Sequence, residues 1–145
     1  MKKAKTFAEA LEVLNDDLSA LNEAVDVAVA QALTTFAEGA ERDARAALNR
    51  PHWLLSRSID SKVKQYRTGK TTAVLGAKRT TTGRPKKGVG DPGIYAGFHE
   101  SGVGSAPAHF LRRGKAKNVA GIPDNMARAF EREVARVAAG QKVKG

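Results

Sequence analysis

The residues that could do chemistry in this chain do not assemble into a phosphate-binding motif. The segment Arg67-Thr68-Gly69-Lys70-Thr71 ends like a phosphate-binding loop. That motif needs a glycine five residues before Gly69, where this chain has Lys64. Without that glycine the backbone amides cannot wrap around a phosphate group. The sequence therefore does not predict nucleotide binding.

Metal and nucleophile chemistry lack the required residues as well. His99-Glu100 starts like a helical zinc motif, but Val103 stands where the second histidine is needed. His52 and His109 have no metal-ligand spacing, the chain has no cysteine, and no serine occupies a Gly-x-Ser-x-Gly turn. We expect no enzyme activity, no catalytic or metal-binding residues and no cofactor.

Charge is the strongest chemical signal in the sequence. The 145 residues carry 25 basic and 15 acidic side chains, a formal net charge of +10. Residues 7–48 hold nine acidic and two basic side chains, whereas residues 61–90 hold nine basic and no acidic ones. This balance favours a polyanionic partner, and the two regions can also attract each other between copies. The candidate contacts to DNA or a partner are Lys78, Arg79, Arg84, Lys86 and Lys87.

Residues 6–50 are predicted to form one long helix. Thr6 and Glu9 have the spacing of a capping box, and apolar residues recur at steps of three and four from Phe7 to Phe36. Pro51 supplies the stop, because the residue before a proline avoids helical dihedrals. The apolar stripe either folds back on its own chain or also packs on a neighbouring subunit. The residues of that expected subunit interface are Leu11, Leu14, Leu18, Leu21 and Val25.

The rest of the chain predicts a small antiparallel sheet and a closing helix in a single α+β domain. Strands are predicted at residues 58–66, 71–77 and 94–100, within a sheet region of residues 56–112. Residues 78–93, rich in Gly, Pro, Thr and basic side chains, are expected to form a long flexible loop. A C-terminal helix at residues 123–139 is expected to pack on the sheet. Residues 1–5 and 140–145 are predicted tails.

Nine positions follow the long helix in a recognisable order: Ser58, Ile59, Tyr95, Ala96, Glu100, Gly102, Pro107, Phe110 and Leu111. This order resembles the small neck proteins of tailed bacteriophages, the tail-completion or head–tail joining family. The resemblance covers roughly residues 40–137. It departs from the family in two places: His52-Trp53 replaces a threonine-glycine step, and Arg112-Arg113 replaces a proline.

The resemblance implies a structural virion protein in the phage neck, synthesised in the bacterial host cytoplasm. Copies would form a ring of six or twelve that joins the capsid portal to the tail and surrounds the DNA channel. The implied partners are the chain itself, other connector, head-closure or tail-terminator proteins, and packaged DNA transiently. No membrane partner is expected, since no run approaches the roughly 20 apolar residues of a membrane span. No signal peptide is expected either, because the basic residues at the start are followed by Glu9, Glu12, Asp16 and Asp17 and no apolar h-region follows. The alternative is a sequence-tolerant nucleic-acid-binding protein that uses the basic residues 62–87.

Overall fold

The computed structural model describes residues 6–48, 53–78, 96–97, 100–102 and 109–140. The elements run α1 (Phe7–Ala46), α2 (Trp53–Ser58), β1 (Ile59–Gln65), β2 (Thr71–Ala77), α3 (Phe110–Val119) and α4 (Ile122–Ala138). The chain divides into a terminal unit, Met1–Ala32 with Pro123–Gly145, and a central unit, Leu33–Ile122. The α+β class is confirmed: a long N-terminal helix, a two-stranded antiparallel sheet and a C-terminal helix. That helix packs on the long helix, whereas the sequence analysis expected it to pack on the sheet.

Helix α1 begins where its capping box predicts. The Glu9 amide donates to Thr6 Oγ1 at 3.2 Å, and the Thr6 amide donates to Glu9 Oε2 at 3.3 Å. The helix ends at Ala46, four residues before the predicted end at position 50. The Leu48 amide bonds to the carbonyl of Arg45 at 3.1 Å, so the chain tightens into a final i→i+3 turn as it leaves the helix.

The predicted hairpin is confirmed, with a slightly shorter first strand. β1 pairs with β2 from Ile59↔Ala77 to Gln65↔Thr71. Gly69 lies in the turn at φ 77°, and the Tyr66 amide closes the turn on the carbonyl of Lys70 at 2.8 Å. A side chain rarely adopts that dihedral, which is why a glycine occupies the position.

The third strand predicted at residues 94–100 is wrong. Ala96, Gly97 and Glu100 are helical, and the Ser101 amide donates to the Gly97 carbonyl at 3.0 Å, an i→i+4 bond. A short apolar run has no periodicity long enough to separate a strand from a buried helical turn. Among the described residues the sheet therefore has two strands.

The core of the central unit gathers one or two apolar side chains from each element around it. Phe110, Leu55 and Ile59 are its largest fully buried members. Leu75, Ala77 and Leu111 pack against it while remaining partly exposed. The complete set of buried core residues is Ala44, Leu48, Leu55, Ile59, Ala96 and Phe110.

Helix α3 was not predicted, although it packs closely on α1 within the central unit. A Cβ built on Gly114 would lie 2.5 Å from the Ala40 carbonyl oxygen and 3.0 Å from the Ala44 nitrogen. Only a glycine permits that approach. Its sequence, FLRRGKAKNV, is basic, and the buried residues Phe110 and Gly114 are too few to form an apolar repeat.

A polar contact extends the α3–α1 packing by one turn. Asn118 Nδ2 donates to Asp43 Oδ2 at 2.9 Å and to the Gly114 carbonyl at 2.9 Å. The Asn118 hydrogen bond, aided by the charges of Arg42 and Lys117, lowers the pKa of Asp43 below its ordinary value. The stabilising contribution of Asp43 is therefore present above the ordinary aspartate pKa and is lost as the pH falls through the lowered value.

In the terminal unit, α4 packs on the alanine side of α1. Ala24, Ala28 and Ala32 are buried on α1, and Ala129 and Glu133 are buried on α4. Glu133 Oε1 accepts from Arg136 Nη1 at 2.7 Å and from Gln31 Nε2 at 3.3 Å. These bonds offset part of the cost of burying a carboxylate.

We expect Gly114→Ala to destabilise the central unit by about 1–3 kcal/mol, the usual cost of overpacking a close contact. The added methyl meets the backbone of α1, which cannot move aside as a flexible side chain would. Urea unfolding followed by circular dichroism measures the change.

Gly76→Ala is the matched control for that measurement. A Cβ on Gly76 has nothing within 4 Å, so this substitution should leave the unfolding midpoint nearly unchanged. Equal midpoints for Gly114→Ala and wild type would contradict the close packing of α3 on α1.

Candidate interaction surfaces

Most of the described motif positions lie in or against the core of the central unit. Ile59, Ala96 and Phe110 are buried, and Leu111 packs on them. Ser58 lies at the junction of α2 and β1, where its hydroxyl donates to the Leu55 carbonyl at 2.7 Å. Tyr95 and Pro107 lie outside the described residues. The motif that the sequence analysis singled out is therefore a packing motif at these positions.

Glu100 has the most specific role among the motif residues, because it caps the N-terminus of α3. Its carboxylate accepts from the amide of Leu111 at 2.9 Å through Oε2 and from the amide of Arg112 at 3.0 Å through Oε1. Its backbone carbonyl accepts from the amide of His109 at 3.2 Å. Three of the amides that a helix start leaves unpaired are thus satisfied by one residue.

The residues around this cap explain why the partner comes from a distant position. His109 is the N-cap residue of α3, but it has a left-handed backbone at φ 58° and makes no side-chain cap. Gly102 follows Glu100 at φ 86°, which favours glycine. A carboxylate at a helix N-terminus also interacts favourably with the helix dipole. Glu100 therefore fixes the start of α3 and, with it, the place of Phe110.

The leucines predicted for a subunit interface lie together on an exposed face of α1 in the terminal unit. We call this face the α1 seam. The exposed fraction of its residues ranges from 38% to 81%, and Phe7, at the first turn, is the most exposed. The seam consists of Phe7, Leu11, Leu14, Leu18, Leu21 and Val25.

A cavity of about 250 Å³ lies at the C-terminal end of the seam, between α1 and α4. Val25 belongs to both the seam and the cavity wall, and Ala28 continues the wall on α1. The other lining residues are Pro123, Met126, Ala127 and Phe130 of α4. Sequence reasoning missed this cavity because it depends on how two distant helices meet.

A second exposed surface follows the hairpin in the central unit. Lys62, Lys64 and Lys78 surround a shallow groove of about 290 Å³ that also exposes Tyr66 and Val74. We call it the hairpin groove. Lys78 Nζ lies 3.0 Å from Asp60 Oδ2, so one of its lysines is already paired. Of the predicted DNA or partner contacts, only Lys78 lies in the described part of the chain; Arg79, Arg84, Lys86 and Lys87 do not.

Within the described residues, no three His, Asp or Glu side chains lie together as possible metal ligands. His109 Nδ1 is buried without a hydrogen-bond partner, whereas His52 and His99 fall outside the described ranges. None of the described helices has the length and apolar content needed to cross a bilayer. The described surfaces suited to interaction are thus the α1 seam with its cavity and the hairpin groove.

Comparison with known proteins adds no relative: no family model, no curated protein and no solved structure matches this chain.

We expect Glu100→Ala to destabilise the central unit by roughly 1–2 kcal/mol, as the loss of a helix cap does. Glu100→Gln keeps one acceptor oxygen and should cost less. Thermal unfolding measures both, and hydrogen exchange at the amides of Leu111 and Arg112 should speed up in the alanine variant.

Glu38→Gln, a change at an exposed carboxylate of α1, serves as the control for lost charge. If it lowered the melting temperature as much as Glu100→Ala, the effect would come from net charge, and the cap would not be its cause.

Proposed function

We propose that this protein is a structural, self-assembling component of the neck of a tailed bacteriophage. In this role, copies form a ring between the capsid portal and the tail, and DNA passes through the ring. The neighbours are further copies and other connector, head-closure or tail-terminator proteins. The exposed α1 seam is the observation that carries the proposal.

The seam supports assembly because of where the large apolar side chains lie. Six of them lie exposed along one side of α1 in the terminal unit, while the buried positions of the same helix are alanines and one glycine. A contiguous exposed apolar patch on this scale, several hundred Å², marks an interaction surface in most soluble proteins. A chain whose leucines served only its own fold would bury them.

The motif cluster supports the family part of the proposal. Glu100, Gly102, Phe110 and Leu111 act together in the structure: the glycine turns the chain, the carboxylate caps α3, and the cap places the phenylalanine in the core. These residues, which are separated in sequence, thus together position the start of α3 against the core. A motif with one structural role of this kind is expected to recur among proteins that share an architecture.

Charge supports a neighbour of opposite sign. The described acidic residues of α1 before position 27 have no basic residue among them, and the hairpin groove carries Lys62, Lys64 and Lys78. The same lysines favour a polyanion such as DNA passing close by. A dedicated nucleic-acid-binding protein is the alternative, and the exposed Tyr66 beside these lysines is the observation that favours it.

Replacing Leu14 and Leu21 with Asp should shift the protein from its assembled form toward monomer. Two carboxylates in the seam would have to be desolvated on assembly, which is costly. Both leucines are exposed in the single chain, so the fold should survive. Sedimentation velocity measures the assembly, and circular dichroism measures the fold.

Ser19→Asp is the matched control, since it adds a carboxylate to an exposed position of α1 outside the seam. It should keep the wild-type assembly size. A double variant with unchanged assembly would contradict the use of the seam, and a wild type that stays monomeric at high concentration would contradict the proposed function.

A salt titration of duplex DNA binding separates the connector from the dedicated binder. For the connector we expect weak, sequence-independent binding near physiological salt, because a glycine-rich sequence loses much conformational entropy when it holds a phosphate track. For a binder, log affinity falls with log salt by about 0.9 per phosphate contact.

Two variants that remove positive charge identify which basic residues bind the duplex DNA. One changes Arg79, Arg84, Lys86 and Lys87 to Ser, and the other changes Lys62 and Lys64 of the hairpin groove to Ser. Tight binding at physiological salt that either variant abolishes would favour the alternative function over the connector.

A further inference from the structure

The α1 seam has a spacing that reads the same in both directions. Its residues follow one another at steps of 4, 3, 4, 3 and 4. We propose that two copies of this chain pair through their seams with the α1 helices antiparallel. This inference rests on the proposed use of the seam for self-assembly, and it names the register and the orientation of the contact.

The symmetric spacing defines one register in which every seam residue meets another seam residue. In it, the numbers of facing residues add to 32: Phe7 faces Val25, Leu11 faces Leu21, and Leu14 faces Leu18. The contact spans roughly 27 Å along each helix, at 1.5 Å per residue. Such a contact is isologous, because each copy offers the same surface to the other.

The cavity at the end of the seam fits this register. Val25 forms part of its wall, so the facing Phe7 of the second copy arrives at its opening. The cavity is open to solvent, lined by apolar side chains and about 250 Å³ in volume, which is room for an aromatic ring. Phe7, 81% exposed in its own chain, thereby gains a place to be buried, and the two-fold axis repeats the contact.

The area is sufficient for a pair that forms in solution. The exposed fractions of the six seam residues correspond to on the order of 600 Å² per copy, so complete burial would remove about 1,200 Å² in total, the lower end of standard interfaces. A parallel pair in register would bury a similar area. It would place Phe7 against Phe7, however, and leave the cavity of each copy empty.

The residues beside the seam place like charges close together in the antiparallel pair. Ala8, Asn15 and Asn22 flank one side, and Ala10, Asp17 and Ala24 flank the other. Around a two-fold axis near position 16, the two Asp17 side chains lie within one helical turn of each other and repel. Asp17→Asn should therefore tighten the antiparallel pair, roughly two- to five-fold in its dissociation constant.

The antiparallel pair is a form of the free chain. A ring whose copies all point the same way along the DNA has no two-fold axis across the seam. When the ring assembles, a different surface of the next copy in the ring takes the place of the antiparallel partner on the seam. Until then, pairing covers the apolar seam and the cavity.

Cysteine cross-linking tests the orientation directly, because the natural chain has no cysteine. Leu11→Cys and Leu21→Cys variants are prepared with different affinity tags, mixed, and oxidised under mild conditions. We expect a disulfide between the two different variants and little between copies of Leu11→Cys alone. Ser19→Cys, outside the seam, is the control and should cross-link with neither.

Each outcome decides the proposal. Self-cross-linking of Leu11→Cys, with no mixed product, would show a parallel pair and overturn it. Absence of both products while the wild type sediments as an assembly would overturn the pair and leave the proposed self-assembly standing. A wild type that is monomeric at all concentrations would overturn the pair and the proposed function together. If Asp17→Asn left the dissociation constant of the pair unchanged or raised it, that result would contradict the antiparallel register.

Discussion

The packing of both units depends on small side chains of α1. Its buried positions are Ala24, Ala28, Ala32, Ala37, Ala40 and Ala44, together with Gly39. Small residues let a partner helix lie close to the α1 backbone, so that in the central unit a Cβ added to Gly114 of α3 would clash with the carbonyl of Ala40. Because α1 offers little apolar volume there, the core must take its large side chains from elsewhere: Leu55, Ile59 and Phe110. The seam leucines of α1 stay exposed.

Glu100 makes the arrangement of the central unit depend on a single polar residue. The segment before α3 has no capping side chain of its own, and the cap comes from a position 11 residues earlier than Leu111. The same contacts hold Phe110 at the core and start the helix that Asn118 links to Asp43. The Glu100 cap, the packing of Phe110 and the contact of α3 with α1 are therefore coupled, so a substitution that weakens one of them weakens the others.

Sequence reasoning succeeded where a strong local signal exists and failed where tertiary contact decides. The capping box at Thr6, the hairpin turn at Gly69 and the amphipathic α4 are local signals, and the corresponding elements are present. Helix α3 has no such signal, and the expected third strand is helical at Ala96 and Gly97. The stripe on α1 joined leucines and alanines into one face, whereas the structure buries alanines and exposes the seam leucines. The Glu100 cap joins residues too far apart in sequence for any local rule.

The buried alanines and the exposed seam of α1 are under different selective constraints. At the buried alanines a larger side chain would overpack the contacts of α1, so variation there is limited by the folding of the single chain. On the seam, the single chain tolerates almost any side chain, since those positions are already exposed to solvent. Substitutions at the seam are limited only by the partner that binds there. In related sequences, invariant alanines beside variable seam positions would indicate that α1 no longer has a partner at the seam. Invariant seam leucines would indicate that the partner is still bound there.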